Sequence, residues 1–228
     1  MPSFPSTRWS LIQAGGNSPA DQREAWELLV RNYQPAILGY FRRSALSRDA
    51  EDLAQEFLLR SMRDGWWGRA DPDNGSFRVF LLMLLKRFVT HERKAGHRRF
   101  EVEGGDLHAL EQEEAWKSPE RQFDLAFAAC LAQEAVAELR VQFESENRVE
   151  MFEQLLPFIA DPPEHGDLAR TGSKLGIHPN TLAVQLKRLR FRFQKQVKAK
   201  LASLCVDAQH AASDTEALRQ VLSTEGAS

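Results

Sequence analysis

Residues 49–62 read DAEDLAQEFLLRSM, and their spacing is helical. Asp49, Asp52 and Glu56 recur at i, i+3 and i+7, which draws a line of carboxylates down one side of a helix. Leu53, Phe57 and Met62 fall toward the side to be buried. A strand would alternate every second residue, and this segment does not. The spacing predicts a helix over 49–63, stopped by Gly65, with acids in the first turn where the helix dipole favours them. Taken alone, the acidic stripe is equally well a solvated face of an amphipathic helix.

Working outward, the same periodicity with punctuation covers most of the chain, and no alternating β-branched run occurs. Thr7 can cap a short first helix ending at Gly15-Gly16. Ser18 and Pro19 suit the start of a helix running to about Arg31, and Pro35 can open the next, to about Ser44. After Gly65 comes the turn-rich WWGRADPDNGS, then a long helix from about Phe77 to Gly96. Residues 101–120 hold seven acids against the single base Lys117, and this composition reads as a linker. Its end is a helix start, with Ser118 as cap, Pro119 at the first position and Glu120 in the first turn. Phe123, Phe127, Leu131 and Ala135 follow at four-residue spacing. Another helix carries Met151, Phe152, Leu155, Leu156 and Ile159 and is closed by DPPEHG. In the tail, Ser213 and Glu216 are spaced for a capping box. The expected fold class is all-α. Two helical domains, at 1–100 and 118–206, are joined by a flexible acidic linker at 101–117, and 207–228 form a tail with a short helix.

The totals set bounds on these assignments. With 228 residues, 43% hydrophobic and 27% charged, the chain has ordinary globular composition. Cys130 and Cys205 both lie in apolar helical patterns and read as buried or idle thiols of a reducing cytoplasm. No run approaches the roughly 20 apolar residues of a membrane span, and the first residues lack a signal-peptide pattern. A cytoplasmic protein with no membrane insertion is expected. The net charge of −2 conceals strong segregation. Residues 168–206 hold nine bases and no acid, and residues 77–100 hold seven bases and one acid, Glu92.

Two segments carry recognisable chemistry. In KLGIHPNTLAVQLKRLRFRF, Gly176 suits the left-handed turn between two helices. Leu182, Leu186 and Leu189 then face inward, which exposes Thr181, Ala183, Gln185, Lys187, Arg188 and Arg192. This is a helix-turn-helix pattern whose second helix can enter a major groove. Gln185 could hydrogen-bond an adenine edge and Lys or Arg a guanine edge, while the remaining bases suit phosphates. In FRVFLLMLLKRFVTHERKAGHRRF, aromatic residues interleave with cations, as suits single-stranded nucleic acid. The six histidines are scattered, with no metal-ligand spacing, and no phosphate loop or nucleophile motif is present. Neither an enzyme nor a cofactor is expected.

The order and wording of these segments resemble bacterial RNA polymerase sigma factors, specifically the small two-domain extracytoplasmic-function (ECF) group. DAEDLAQEFLLRSM is similar to the family's core-polymerase-binding helix in region 2, SFRVFLLMLLKRFVTHERKA to the helix that opens the −10 element, and KLGIHPNTLAVQLKRLRFRF to the region 4 helix-turn-helix that reads the −35 element. The opening TRWSLI and the DPDNGSFRVFL spacing sharpen the likeness. The resemblance implies core RNA polymerase and promoter DNA as partners. Polymerase contact is implied for Asp49, Glu51, Asp52, Gln55, Glu56 and Arg60. Contact with −10 DNA is implied for Arg78, Phe80, Lys86, Arg87, Thr90, His91, Arg93, Lys94, Arg98 and Arg99. Contact with −35 DNA is implied for Asn180, Thr181, Ala183, Gln185, Lys187, Arg188, Arg190 and Arg192. Ala183 and Gln185 stand where many relatives carry Lys and Arg, and Phe80 stands where typical members carry Trp. An anti-sigma factor over the acidic helix, or a Ser/Thr kinase acting on Ser61 or Thr90, would be a means of control. The rival reading is a helix-turn-helix regulator that binds duplex DNA without polymerase.

Overall fold

A computed structural model describes residues 19–44, 46, 49–71, 76–102, 118–205 and 208–223, with 19–22, 24, 25, 28, 95–102, 208 and 221–223 described by their backbone alone. The expected helix from Thr7 to Gly16 and the linker interior at 103–117 lie outside the described residues. The fold is all-α, with no strand among the described residues. Its helices are α1 (Pro19–Arg42), α2 (Ala50–Arg63), α3 (Phe77–Val102), α4 (Pro119–Ser145), α5 (Val149–Leu155), α6 (Asp167–Leu175), α7 (Pro179–Ser203) and α8 (Ala208–Ser223). Short 3-10 turns occupy Trp67–Arg69 and Leu156–Ile159.

Three boundaries differ from expectation. α3 runs on to Val102, past the expected end near Gly96. The helices expected on either side of Pro35 are one, α1, with Pro35 inside it. Proline removes one hydrogen bond there, but the buried stripe of Leu29, Tyr33, Ala36, Ile37, Tyr40 and Phe41 runs past it without a break. Packing outweighs the local penalty. Ser213 does not cap a helix, because α8 begins five residues earlier, at Ala208.

The chain forms two compact units. One comprises residues up to Cys130 together with Leu201 onward, and the other is Leu131–Lys200. The division therefore departs from boundaries at 100, 118 and 207. Residues 118–130 and the C-terminal helix belong to the first unit. The physical cause is aromatic packing in the first turns of α4, where Phe123 and Phe127 are buried and Phe127 stacks on Tyr33 of α1 at 5.0 Å. Ser118 accepts a hydrogen bond from the Arg121 amide at 3.2 Å, as its cap position requires.

In the first unit, Phe41, Phe57 and Phe88 meet edge to face at 5.5–6.2 Å and join α1, α2 and α3. Trp67 packs on Trp26 at 4.6 Å and on Phe77 at 5.7 Å. The second unit is built on Leu139, Phe143, Met151, Phe152, Leu155, Leu182, Leu186 and Leu189. Each of these buried large side chains contributes about 1.5–3 kcal/mol.

Candidate nucleic-acid and partner interfaces

α2 buries Ala50, Ala54, Phe57, Leu58 and Ser61. Phe57 lies inward as its spacing predicts, whereas Met62 is 54% exposed. Met62 follows Phe57 by five residues, which rotates it well off the inner face. The outer face carries Asp49, Asp52 and Gln55, all exposed, with Leu59 beside them at 58% exposure. Glu51 accepts a hydrogen bond from Arg42 at 2.9 Å, which holds its carboxyl below the usual carboxylate range. Glu56 and Arg60 are half-buried and committed within the unit. Arg60 donates to Glu56 at 2.5 Å and to Glu92 of α3 at 2.8 Å, and it lies 5.4 Å from the centre of the Phe88 ring. The bond to Glu56, reinforced by Glu92 against the cost of burial, raises the Arg60 pKa further. Leu59 is a residue that charge-based reading overlooks, and Met62 is corrected from the buried side to the outer face. A helical wheel centred on Phe57 would have placed both outside.

Ser61 is buried and donates to the Phe57 carbonyl. The expectation that it is open to a kinase is corrected. Thr90 is exposed, with its hydroxyl on the Lys86 carbonyl at 2.8 Å.

Between α2, the Trp67 turn and α3 lies a groove of about 760 Å³. Arg60, Arg63, Arg69 and Arg87 line it against two acids, Glu56 and Asp64, and Trp66, Phe80, Met83, Leu84, Phe88 and His91 complete its walls. Trp66 is braced edge-on by Phe57 at 5.9 Å and Phe88 at 6.5 Å. Arg60 is held by Glu56 and Glu92, Arg63 pairs with Asp64 at 2.8 Å, and Arg69 donates to the Asp64 carbonyl at 3.2 Å; guanidiniums beside an aromatic floor suit an unstacked base and its phosphates. Of the expected −10 residues, the groove collects Phe80, Arg87 and His91. Lys86, exposed, pairs with Glu120 at 2.9 Å, and Arg93 and Lys94 are also exposed. The side chains of Arg98 and Arg99 lie outside the described residues. Arg63, at the end of α2, and Trp66 and Arg69, in the turn after it, were missed because they lie before α3 in sequence.

Arg78 requires a correction. It is 8% exposed and donates to Asp124 of α4 at 2.8 and 2.6 Å and to Asp214 of α8 at 3.3 Å. A guanidinium so enclosed does not reach DNA. Position 78 also lies about 200° around the helix from position 80, away from the groove.

In the second unit, α6 and α7 meet at Gly176, whose φ of +65° is the left-handed turn expected there. The Ile177 amide donates to the Gly172 carbonyl at 3.0 Å, and a Cβ on Gly172 would come within 2.4 Å of the Ile177 carbonyl oxygen. Leu182, Leu186 and Leu189 face inward as expected. Asn180, Thr181, Ala183, Lys187 and Arg188 are exposed, as are Val184 and, at 68%, Phe191. Three expected DNA contacts are engaged elsewhere. Gln185 accepts a hydrogen bond from Arg148 at 2.7 Å through its amide oxygen. Arg190 donates twice to the Phe158 carbonyl, at 3.0 and 2.7 Å. Arg192 pairs with Glu146 at 3.1 Å and lies 5.3 Å from the centre of the Phe143 ring. These three contacts tie α7 to the other segments of its own unit.

Among the described residues no three His, Cys, Asp or Glu side chains gather to hold a metal, and no helix is long and apolar enough to cross a membrane. The Sigma-70 region 2 family model matches residues 29–99, from within α1 almost to the end of α3. No curated protein and no solved structure matches the chain.

Proposed function

We propose that this chain is a sigma factor, the promoter-specificity subunit of a bacterial RNA polymerase, of the two-domain ECF type. The observation that carries the proposal is the span of the region 2 match, which supports membership of the sigma-70 superfamily and a role in promoter-specific transcription initiation. That span contains both the acidic outer face of α2 and the cationic, aromatic groove.

On this proposal Asp49, Asp52 and Gln55, with Leu59 and Met62 among them, dock on core polymerase. The carboxylates orient the encounter and the apolar pair supplies desolvated contact. The groove holds a base of the melted −10 strand between Trp66 and Phe80, with Arg63, Arg69 and Arg87 on its phosphates. The helix pair α6–α7 reads the −35 duplex through Thr181, Ala183 and Val184, with Lys187 and Arg188 on the backbone. An apolar Val184 suits a thymine methyl. The protein bears no catalytic group in this scheme, since polymerase makes the RNA. A cytoplasmic location and regulation by an anti-sigma factor belong to the same proposal.

Co-elution with bacterial core RNA polymerase on a sizing column tests it, with wild type run beside the double variant Asp49→Ala/Asp52→Ala. Wild type is expected to co-elute and the variant to elute free. If wild type elutes free yet binds duplex DNA, a helix-turn-helix regulator acting without polymerase is the better account.

A further inference from the structure

Two guanidiniums of the second unit converge on one carboxylate. Glu146 and Arg148 stand on either side of Asn147, in the turn between α4 and α5, where the backbone φ is +55°. Arg148 donates from Nη1 to Glu146 Oε2 at 3.1 Å, and Arg192 of α7 donates from Nη1 to Glu146 Oε1 at 3.1 Å. Both guanidiniums lie against the buried Phe143 ring, 5.5 and 5.3 Å from its centre. Two forks from separate segments are thus aimed at the two oxygens of one anion, and a fixed ring holds them in place.

That anion is replaceable. The three side chains keep 34–41% of their surface in water, so another oxyanion can reach them, and the exchange conserves both charge-assisted bonds. Two cations face one carboxylate, which leaves a positive charge uncompensated. Arg190 differs, because its two bonds go to a backbone carbonyl, that of Phe158, which cannot swing aside. Arg192 falls with Thr181, Gln185 and Arg188 at i+11, i, i+4 and i+7, along one flank of α7, and Thr181 and Arg188 are exposed. A recognition helix in a major groove turns its outer face to base edges and its flanks to the phosphate walls. We propose that Arg148 and Arg192 form a seat for a phosphodiester of duplex DNA, which Glu146 occupies in the free chain. That α7 meets DNA rests on the function proposed above. The seat adds to it a cation from outside the helix-turn-helix and a carboxylate that competes with the ligand.

Fluorescence anisotropy of a labelled random-sequence duplex, titrated with the full-length chain at several salt concentrations and without polymerase, tests the seat. Glu146→Gln is expected to tighten binding about fivefold, the effect of removing one like charge at contact distance in water. Glu144→Gln, which removes the exposed carboxylate two residues earlier, should change it less than about twofold. A gain in affinity cannot come from misfolding. Arg148→Ala is expected to lower the slope of log affinity against log salt by about 0.9, one phosphate contact. Lys187→Ala, on the exposed face of α7, reports whether that helix meets the duplex. Equal effects of Glu146→Gln and Glu144→Gln would overturn the seat, as would a wild-type slope in Arg148→Ala. If Lys187→Ala weakens binding in either case, α7 binds DNA and only the seat is wrong. Wild-type affinity in Glu146→Gln, Arg148→Ala and Lys187→Ala alike, or no binding by any of them, would overturn the seat together with the DNA reading of α7.

Discussion

At the scale of the residue, Arg78, Asp124 and Asp214 form a buried set with one positive and two negative charges. Burial raises the Asp124 pKa, and the hydrogen bonds from Arg78 only partly offset it. A carboxyl raised in the folded state adds stability that is complete below its unfolded pKa and is lost as pH rises through the folded one. Wild type compared with Asp124→Asn in urea melts isolates this contribution. The stability difference, wild type minus variant, should fall as pH rises upward from about 4, the ordinary aspartate range. A difference that grew with pH would mean that the attraction of Arg78 outweighs burial. The resemblance implies a DNA contact for Arg78, because charge on a basic helix is visible in sequence and its partners are not. Asp124 and Asp214 lie 46 and 136 residues away.

At the scale of the element, α3 and α7 each turn one face inward and spend part of the other on intramolecular bonds. Apolar spacing located the inner faces: Leu81, Leu85 and Phe88 on one helix, Leu182, Leu186 and Leu189 on the other, all buried. The turn before α7 was equally legible, since only glycine takes a positive φ without strain. Gly176→Ala should cost the second unit about 1 kcal/mol for the left-handed backbone. Gly172→Ala, whose Cβ would meet backbone at 2.4 Å, should cost roughly 1–3 kcal/mol. Urea denaturation of both variants checks the order, and a larger loss at Gly176 would show that the close approach at Gly172 relaxes freely. Gln185, Arg190 and Arg192 were harder to place, because a polar side chain on a helix rim can turn toward DNA or toward its own domain. Arg148, Phe158 and Glu146 decided for the domain.

At the scale of the whole molecule, the near-zero net charge hides a cationic groove in the first unit and a basic helix in the second. If the groove binds single-stranded DNA, cations and ring should separate experimentally. Arg87→Ala should lower the slope of log affinity against log salt by about 0.7, one phosphate contact. Trp66→Ala should weaken binding by about 1–3 kcal/mol with the slope unchanged, as loss of stacking requires. Titration of a labelled oligonucleotide at several salt concentrations reads both, and equal slopes for Arg87→Ala and wild type would exclude that arginine from the phosphates. By itself the sequence determined the all-α class, most helix bounds, the inner faces and the glycine turn, since these follow from spacing and backbone sterics within a few residues. Only the tertiary structure decided that Pro35 lies inside a helix, that 118–130 and α8 join the first unit, and which cations remain available for a ligand. Those outcomes depend on partners tens of residues away, and local periodicity carries no record of which distant carboxylate or ring a side chain will meet.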